Sequence, residues 1–394
     1  MRSRAAPVAP GLIAILTLTT FTNHLNVVAW NPFLPFIADA HGISVELLGQ
    51  VPALMLLLSA LLGLLIGPLA DRYGYRLTLL ACLLAVATGS LATGLSTKLP
   101  LLVLAGVLGA VGRAAIMPVA QALASVKFLD ETARRRAVSR IQNGGPLAAT
   151  LGIPFLTVIA GAFGWRGAFV VLSGLTFVIA LILSSMLRRE EKIGGTQFSL
   201  ADIASAYRPI LRDRSSLILV VAACLENTGV NVMWTYYGAF YVQQHGFGVE
   251  QVGWVSLAAG LGVLLGQTAA GTRFGRRPQI LFIVGCAGSG SLIGLSVMLA
   301  IPASDSITLM IIGWLLHGLV MVTTVVLLVG QSPAGRATTL SFYGSAMSLG
   351  MAMGAVLGGL ALALAGFFAL GVCTLILPIG SVVLLSFRPL RLLR

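Results

Sequence analysis

Twelve apolar runs, each about long enough to cross a bilayer, follow one another along the chain with polar breaks between them. They lie near 11–36, 45–70, 77–97, 100–124, 141–163, 167–187, 215–241, 249–271, 278–301, 307–330, 337–364 and 366–387. Roughly 20 apolar residues span the hydrocarbon layer as a helix. In lipid each backbone N–H and C=O must be satisfied within the segment, so every run is expected to be helical. The alternation of a membrane β-barrel is absent. The pattern therefore predicts an all-α integral membrane protein of twelve transmembrane helices. Its longest polar stretch, RREEKIGGTQFSLADIASAYRPILRDR, separates an N-terminal six-helix bundle (1–187) from a C-terminal one (215–394) by a linker (188–214). Ser199 followed by Asp202 is a capping pattern for a short surface helix inside that linker.

The two halves share a plan. Laying Asn23–Gly49 on Asn227–Gly253 without gaps gives nine identities in 27 positions, including Asn23/Asn227, Trp30/Trp234, His41/His245, Gly42/Gly246, Glu46/Glu250 and Gly49/Gly253. Apolar composition alone repeats Val or Leu by chance, but not Asn, Trp, His-Gly and Glu in register. Parallel six-helix repeats with a binding site between them are a transporter design.

Composition narrows this further. The chain is 57% hydrophobic and 9% charged, against about 25% charged in a soluble domain, which excludes a water-soluble globule. A net charge of +13 raises nucleic acid as a partner, yet its placement gives another reason. With the N-terminus inside, 22 of the 25 Lys and Arg residues fall in the termini or the even-numbered loops; Lys98 and Arg166 fall outside them and Arg113 within a span. That bias sets both termini in the cytoplasm of a cell (inner) membrane protein. The expected environment is the lipid bilayer, with no nucleic acid. Cys82, Cys224, Cys286 and Cys373 lie in separate spans without a CxxC, so disulfides and thiolate metal sites are not expected. The basic start and apolar run at the N-terminus resemble a signal peptide, but the run is long and lacks a small-residue cleavage site, so it reads as the first span. Nucleotide-binding signatures, HExxH and a nucleophile elbow are all missing, which speaks against an enzyme or an ATP-driven pump and predicts no cofactor.

After the second run comes GPLADRYGYR. Gly67, Asp71, Arg72, Gly74 and Arg76 match the G-x-x-x-D-R-x-G loop signature of the major facilitator superfamily, and the chain resembles that family over its whole length. The resemblance implies the twelve-helix fold in two six-helix bundles, usually monomeric, with helices 1, 4, 7 and 10 around a central cavity. It also implies that Asp71 meets the positive end of a neighbouring helix and latches a cytoplasmic gate. The second-half loop GTRFGRR keeps Arg273 and Gly275 but has Thr272 in place of the acid. GWRGAF (Gly164 to Phe169) resembles bacterial efflux-type members. In NGGPLAATLGIPFLT, Pro154 stands one residue later than in the helix 5 signature of antiporters, with Phe155, Leu156 and Thr157 where small residues are expected. The fourth run has Arg113 about two turns deeper than the Arg of drug exporters.

Leaving aside Cys and Tyr, four titratable groups stand in span interiors: His24, Arg113, Glu226 and His317, in runs 1, 4, 7 and 10. Arg113 and His317 correspond under the repeat. A charged residue at a helix centre costs about 2.5–3.5 kcal/mol on insertion and marks a functional site by default. For Glu226 two readings stand. Facing an occasionally wet cavity, it carries a proton; paired with Arg113, it forms a structural or gating bridge. Arg113 cannot give up its proton, so it holds Glu226 or binds an anionic substrate. His24 and His317 either join Glu226 in proton coupling or only bond helix to helix. Asn23 and Trp30, like Asn227 and Trp234, sit seven residues apart on one helical face. With Asn231 and Tyr237 they form a candidate lining for an organic solute, the alternative for the Trp rings being interfacial belts. Gly350, Gly354 and Gly358 recur every fourth residue, a pattern for close helix packing.

The sequence thus predicts a secondary transporter working by alternating access, exporting a small organic compound against protons. Uptake or exchange of an organic anion, held by Arg113 and the histidines, is the alternative. A membrane receptor that has lost transport is the more distant one.

Overall fold

The computed structural model describes residues 11–128, 137–138, 140–187, 207–270, 277–333 and 336–386; the side chains of residues 64–69, 71–72, 125, 336–338, 341 and 386 lie outside that description. Among the described residues the fold is all-helical, with twelve membrane-crossing helices in the two-bundle arrangement. Helix α1 runs in two pieces, Gly11–Val28 and Trp30–His41, and α2 in two, Val45–Leu48 and Gln50–Tyr73. Then come α3 (Tyr75–Gly94) and α4 (Leu99–Lys127). Helix α5 opens with Gly144–Leu147 and a π-helical turn, Ala148–Gly152, and continues over 153–163; α6 covers 165–186. The second half holds α7 (Arg214–His245), α8 (Val249–Ala270), α9 (Pro278–Met298), α10 (Ala303–Gln331), α11 (336–364) and α12 (367–386).

Among the described residues ten helices are individually long and apolar enough to cross a membrane, and two of them, Arg140–Met186 and Phe342–Leu385, are about twice a span. Each of the two is folded back by one glycine at positive φ: Gly164 (φ 69) joins α5 to α6, and Gly366 (φ 68) joins α11 to α12. An added Cβ at Gly164 would meet nothing within 4 Å, so only the backbone there demands glycine. Gly164→Ala is expected to lower the unfolding free energy by about 1–2 kcal/mol. Gly174→Ala, equally open but helical, should raise it by about 0.5–1 kcal/mol. Chemical unfolding in detergent would show these opposite signs.

The His-Gly repeat also acquires a structural reason. Gly42 (φ 63) and Gly246 (φ 68) are the left-handed residues that follow His41 and His245 and end α1 and α7. The break in α1 at Ala29 has a cause in sequence, because Pro32 and Pro35 withdraw the N–H groups due to the carbonyls of Val28 and Asn31. The π-turn of α5 lies just ahead of Pro154, which likewise has no N–H for Thr150.

By packing, the chain forms two compact units. The first comprises residues 1–29, 58–152 and 162–196; the second comprises 30–57, 153–161 and 197–394. The division cuts α1 at its break and α5 at the end of its π-turn. In the first unit, Leu16, Leu79, Leu83, Val86, Ile116 and Leu183 form a buried core. Gly89 lets α3 approach the backbone of α4 at Gly109. Arg166, stacked 4.4 Å from the Trp165 ring, donates to the Ser96 carbonyl at 3.2 Å and so pins the α3–α4 turn to the start of α6. GWRGAF therefore has a packing role. Arg76 donates to the Ser184 carbonyl at 2.9 Å, and Gly74 (φ 89) makes the turn into α3. Asp71, Arg72 and Gly67 belong to the described helix α2, but their side-chain environment lies outside the described residues, as do Thr272, Arg273 and Gly275 of the second loop and Ser199 of the linker.

In the second unit α11 lies along α7 through the glycines every fourth residue. Gly350 faces the Cys224 carbonyl, Gly354 the Thr228 carbonyl and Gly358 the Tyr236 ring. The pieces of α1 and α2 that belong here close against the same two helices. Gly238 of α7 meets the Asn31 carbonyl and Pro32, Gly49 meets the Tyr236 hydroxyl, and Gly359 of α11 meets Gln50 and the Glu46 carbonyl. The Tyr236 hydroxyl donates to the Ala355 carbonyl at 3.0 Å. Gly253 of α8 and Gly161 of α5 admit Thr157 and Glu250 in the same way. The result is a glycine-lined seam at the end carrying the 41–45 turn.

Candidate functional site

The second unit collects an acid, a base and an aromatic wall on α7, α9 and α10. Glu226 is fully buried, halfway along α7. Its Oε1 lies 2.8 Å from His317 Nδ1 on α10 and accepts from the Ser289 hydroxyl of α9 at 3.2 Å. With Nδ1 carrying the hydrogen, the imidazole donates to the carboxylate; protonated, it makes an ion pair. Two helical hydrogen bonds thus stand where bulk water would solvate a carboxylate. Gly290 and Gly229, flanking these positions, both rest on Pro378 of α12 and hold α7 and α9 close enough for the contact.

Beside the pair the rings are continuous. Trp234 stacks on Tyr237 (centroids 5.4 Å apart, 22° between planes) and meets Trp314 edge-on at 4.8 Å and 69°. Trp314 in turn stands edge-on to His317 at 5.5 Å and 87°. Of the three wall residues only Trp234 is half-buried; Tyr237 and Trp314 are buried. The Trp314 N–H is buried without a hydrogen-bond partner among the described residues.

The structure thus brings Glu226, His317, Trp234 and Tyr237 of the sequence candidates into one cluster. Asn227 and Asn231 lie along the same helix, with amide groups engaged: Asn227 donates to the Met347 carbonyl at 2.9 Å, and Asn231 donates to the Asn227 carbonyl at 2.8 Å. Trp30 is buried in the second unit, on the second piece of α1, and Pro154 belongs to the same unit. Asn23, His24 and Arg113 belong to the first. There His24 faces α5, where a Cβ on Gly145 would come within 3.7 Å of its ring. Arg113 is buried on α4, its guanidinium lying back over Gly109, one turn earlier. Asp71 is the one acid among the described residues of that unit, and its side-chain environment lies outside the description. Asn23 keeps a buried side-chain oxygen without a partner among the described residues.

Three contributors escaped the sequence reading. Ser289 and Asn26 are uncharged and so were not counted among membrane titratable groups. Asn26 forms a buried cluster with Ser90 and Thr176 that ties α1 to α3 and α6. Trp314 carried a usable signal: it precedes His317 by three residues and so shares its face.

The Major Facilitator Superfamily model matches residues 16–329. An uncharacterized MFS-type transporter of Bacillus subtilis, YtbD, is 25% identical over 83% of this chain and 82% of its own. The 4-hydroxybenzoate transporter PcaK of Pseudomonas aeruginosa is 29% identical over 45% of this chain and 40% of its own. Among solved structures, a bacterial homologue of the human lysosomal transporter Spinster, inward-facing and unoccupied, aligns over 98% of this chain and 96% of its own. Its TM-score is 0.75 at 18% identity, a likeness of fold.

Proposed function

We propose that this chain, which belongs to the major facilitator superfamily and is a membrane transporter of small molecules, exports an organic compound in exchange for protons, with Glu226 and His317 as the proton carrier. The observation that carries this is the buried Glu226–His317 contact at 2.8 Å.

With His317 neutral and Glu226 ionised, the pair holds one negative charge in surroundings where a charge costs about 2.5–3.5 kcal/mol. Adding one proton, to either partner, gives a site of zero net charge. The occupancy of that proton then depends on how wet the site is, and so on which face of the membrane it can reach. A solute entering beside the pair dries it and shifts the same balance. This is the linkage an exchanger needs. His24 is the corresponding candidate in the first half. Asn23, Asn227, Asn231, Trp30, Trp234 and Tyr237 serve as lining for the solute, and the 6+6 halves alternate access around it. The basic loops support both termini in the cytoplasm of the cell membrane. The resemblance of GWRGAF to efflux-type members supports the outward direction, and the chain works as a monomer.

One observation favours a second reading. Arg113 is buried and no carboxylate lies within ion-pair distance of it among the described side chains, as an organic-anion site requires, and one relative is named for an aromatic acid. The deciding experiment records proton release from purified, weakly buffered protein on adding quinoline or 4-hydroxybenzoate. Release on adding quinoline, abolished in Glu226→Gln, is the expected result. Anion binding without release, unaffected by Glu226→Gln and lost in Arg113→Ala, would leave the anion reading in its place.

A further inference from the structure

We propose that the indole N–H of Trp314 is the hydrogen-bond donor that selects the transported solute, and that the solute is a planar aromatic compound with an uncharged hydrogen-bond acceptor on its edge. The inference rests on the reading of the α7–α10 cluster as the substrate and proton site and names the substrate class for it.

Three features carry it. The first is the shape of the wall. Trp234 and Tyr237 are nearly parallel, at 22°, while Trp314 rises from Trp234 at 69°, so the rings form a floor and an upright. A flat solute stacked on the floor, the arrangement aromatic rings favour, presents its edge to Trp314. Trp234 is the wall ring that keeps exposed surface for such stacking.

The second is the donor itself. A buried polar hydrogen left unpaired costs about 1–3 kcal/mol, and buried groups are unpaired too seldom for this one to pass without explanation. The neighbouring Trp234 offers only a ring face, which is a weak acceptor. Phe at position 314 would supply the same edge-on packing without that cost. The N–H is accounted for if its partner arrives with the solute.

The third is charge. Trp314 also stands edge-on to His317, whose Nδ1 reaches Glu226. A carboxylate one residue beyond the donor disfavours an anionic acceptor and leaves a ring nitrogen or carbonyl as the matching group. The indole thereby touches solute on one side and the proton-carrying pair on the other.

The test compares two labelled bicyclic probes of one shape, quinoline with a ring nitrogen and naphthalene without it, at mildly alkaline pH. Binding is measured to protein in lipid nanodiscs, with empty nanodiscs subtracted. Wild type is expected to bind quinoline about tenfold more tightly, the worth of one net hydrogen bond. Trp314→Phe should remove that preference while holding naphthalene within about twofold. A wild type without preference, or binding neither probe, overturns the proposal and needs no variant to fold. So does a Trp314→Phe protein that keeps the preference or loses both probes in parallel, which would make the ring merely structural. The assay involves no proton movement. Absent proton release with the quinoline preference intact would therefore defeat the coupling reading alone.

Discussion

Removing His317 alone, as His317→Ala, should lower the unfolding free energy by about 3–5 kcal/mol, the cost of stripping one partner from a buried charged pair. Glu226 would keep only the Ser289 hydroxyl at 3.2 Å, too little for a carboxylate enclosed by α7, α9 and α10. Replacing both partners by residues of similar volume, Glu226→Gln with His317→Phe, should recover most of the loss, because the double variant buries no unmatched charge. Neutral replacement of buried ion pairs is often without net cost. Unfolding free energies from denaturant titration in detergent for Glu226→Gln, His317→Phe and the double variant, combined as a double-mutant cycle, would give a coupling of opposite sign to the single losses. Simple addition of the two effects would mean that the 2.8 Å contact contributes nothing as a pair, and the proton-carrier reading would lose its structural basis. Transport should be absent in both variants whatever their stability, since neither retains the Glu226–His317 pair.

The origin of that pair shows where sequence reading reaches and where it stops. The existence of each helix was legible, since about twenty apolar residues between charged breaks have few other options in lipid. Even the hairpins without a polar loop were readable at nearly the right place, because Gly164 and Gly366 mark runs of twice the needed length. The interest of Glu226, His24, Arg113 and His317 followed from the cost of charge in hydrocarbon. Which of these would touch did not follow. A contact between helices depends on their rotation about their own axes, and that is set by packing, here by Gly229 and Gly290 against Pro378. Arg113 and His317 occupy equivalent repeat positions, and the sequence pointed to Arg113, not His317, as the group that would pair with Glu226. The structure shows His317 beside it. The break at Ala29 and the π-turn at Ala148–Gly152 are a different case: Pro32, Pro35 and Pro154 announced lost backbone hydrogen bonds, but not how the chain would rearrange around them.

The glycine seam of the second unit gives the remaining prediction with a large effect. If access alternates, the pieces of α1 and α2 that close on α7 and α11 must part in some other conformer, and the tightness seen here belongs to one state only. Gly238 is the position to perturb, because what its side chain would meet is backbone: the Asn31 carbonyl at 2.5 Å and the Pro32 Cα at 3.0 Å from an added Cβ. Neither can swing aside as a flexible side chain would. Gly238→Leu should therefore disfavour the closed seam by about 1–3 kcal/mol, the usual cost of overpacking, which is roughly a 5- to 150-fold shift in population. Asn31 is buried in the closed state. In a background with the four native cysteines replaced, Asn31→Cys should react with a membrane-impermeant maleimide at least about fivefold faster once Gly238→Leu is added. Gly238→Ala should fall between the two. A seam that simply holds the protein together would respond differently: the unfolding midpoint would drop while labelling of the folded protein stayed unchanged. Faster labelling without loss of folding is what distinguishes a gate from a strut, because a state that opens must already exist for the added bulk to favour it.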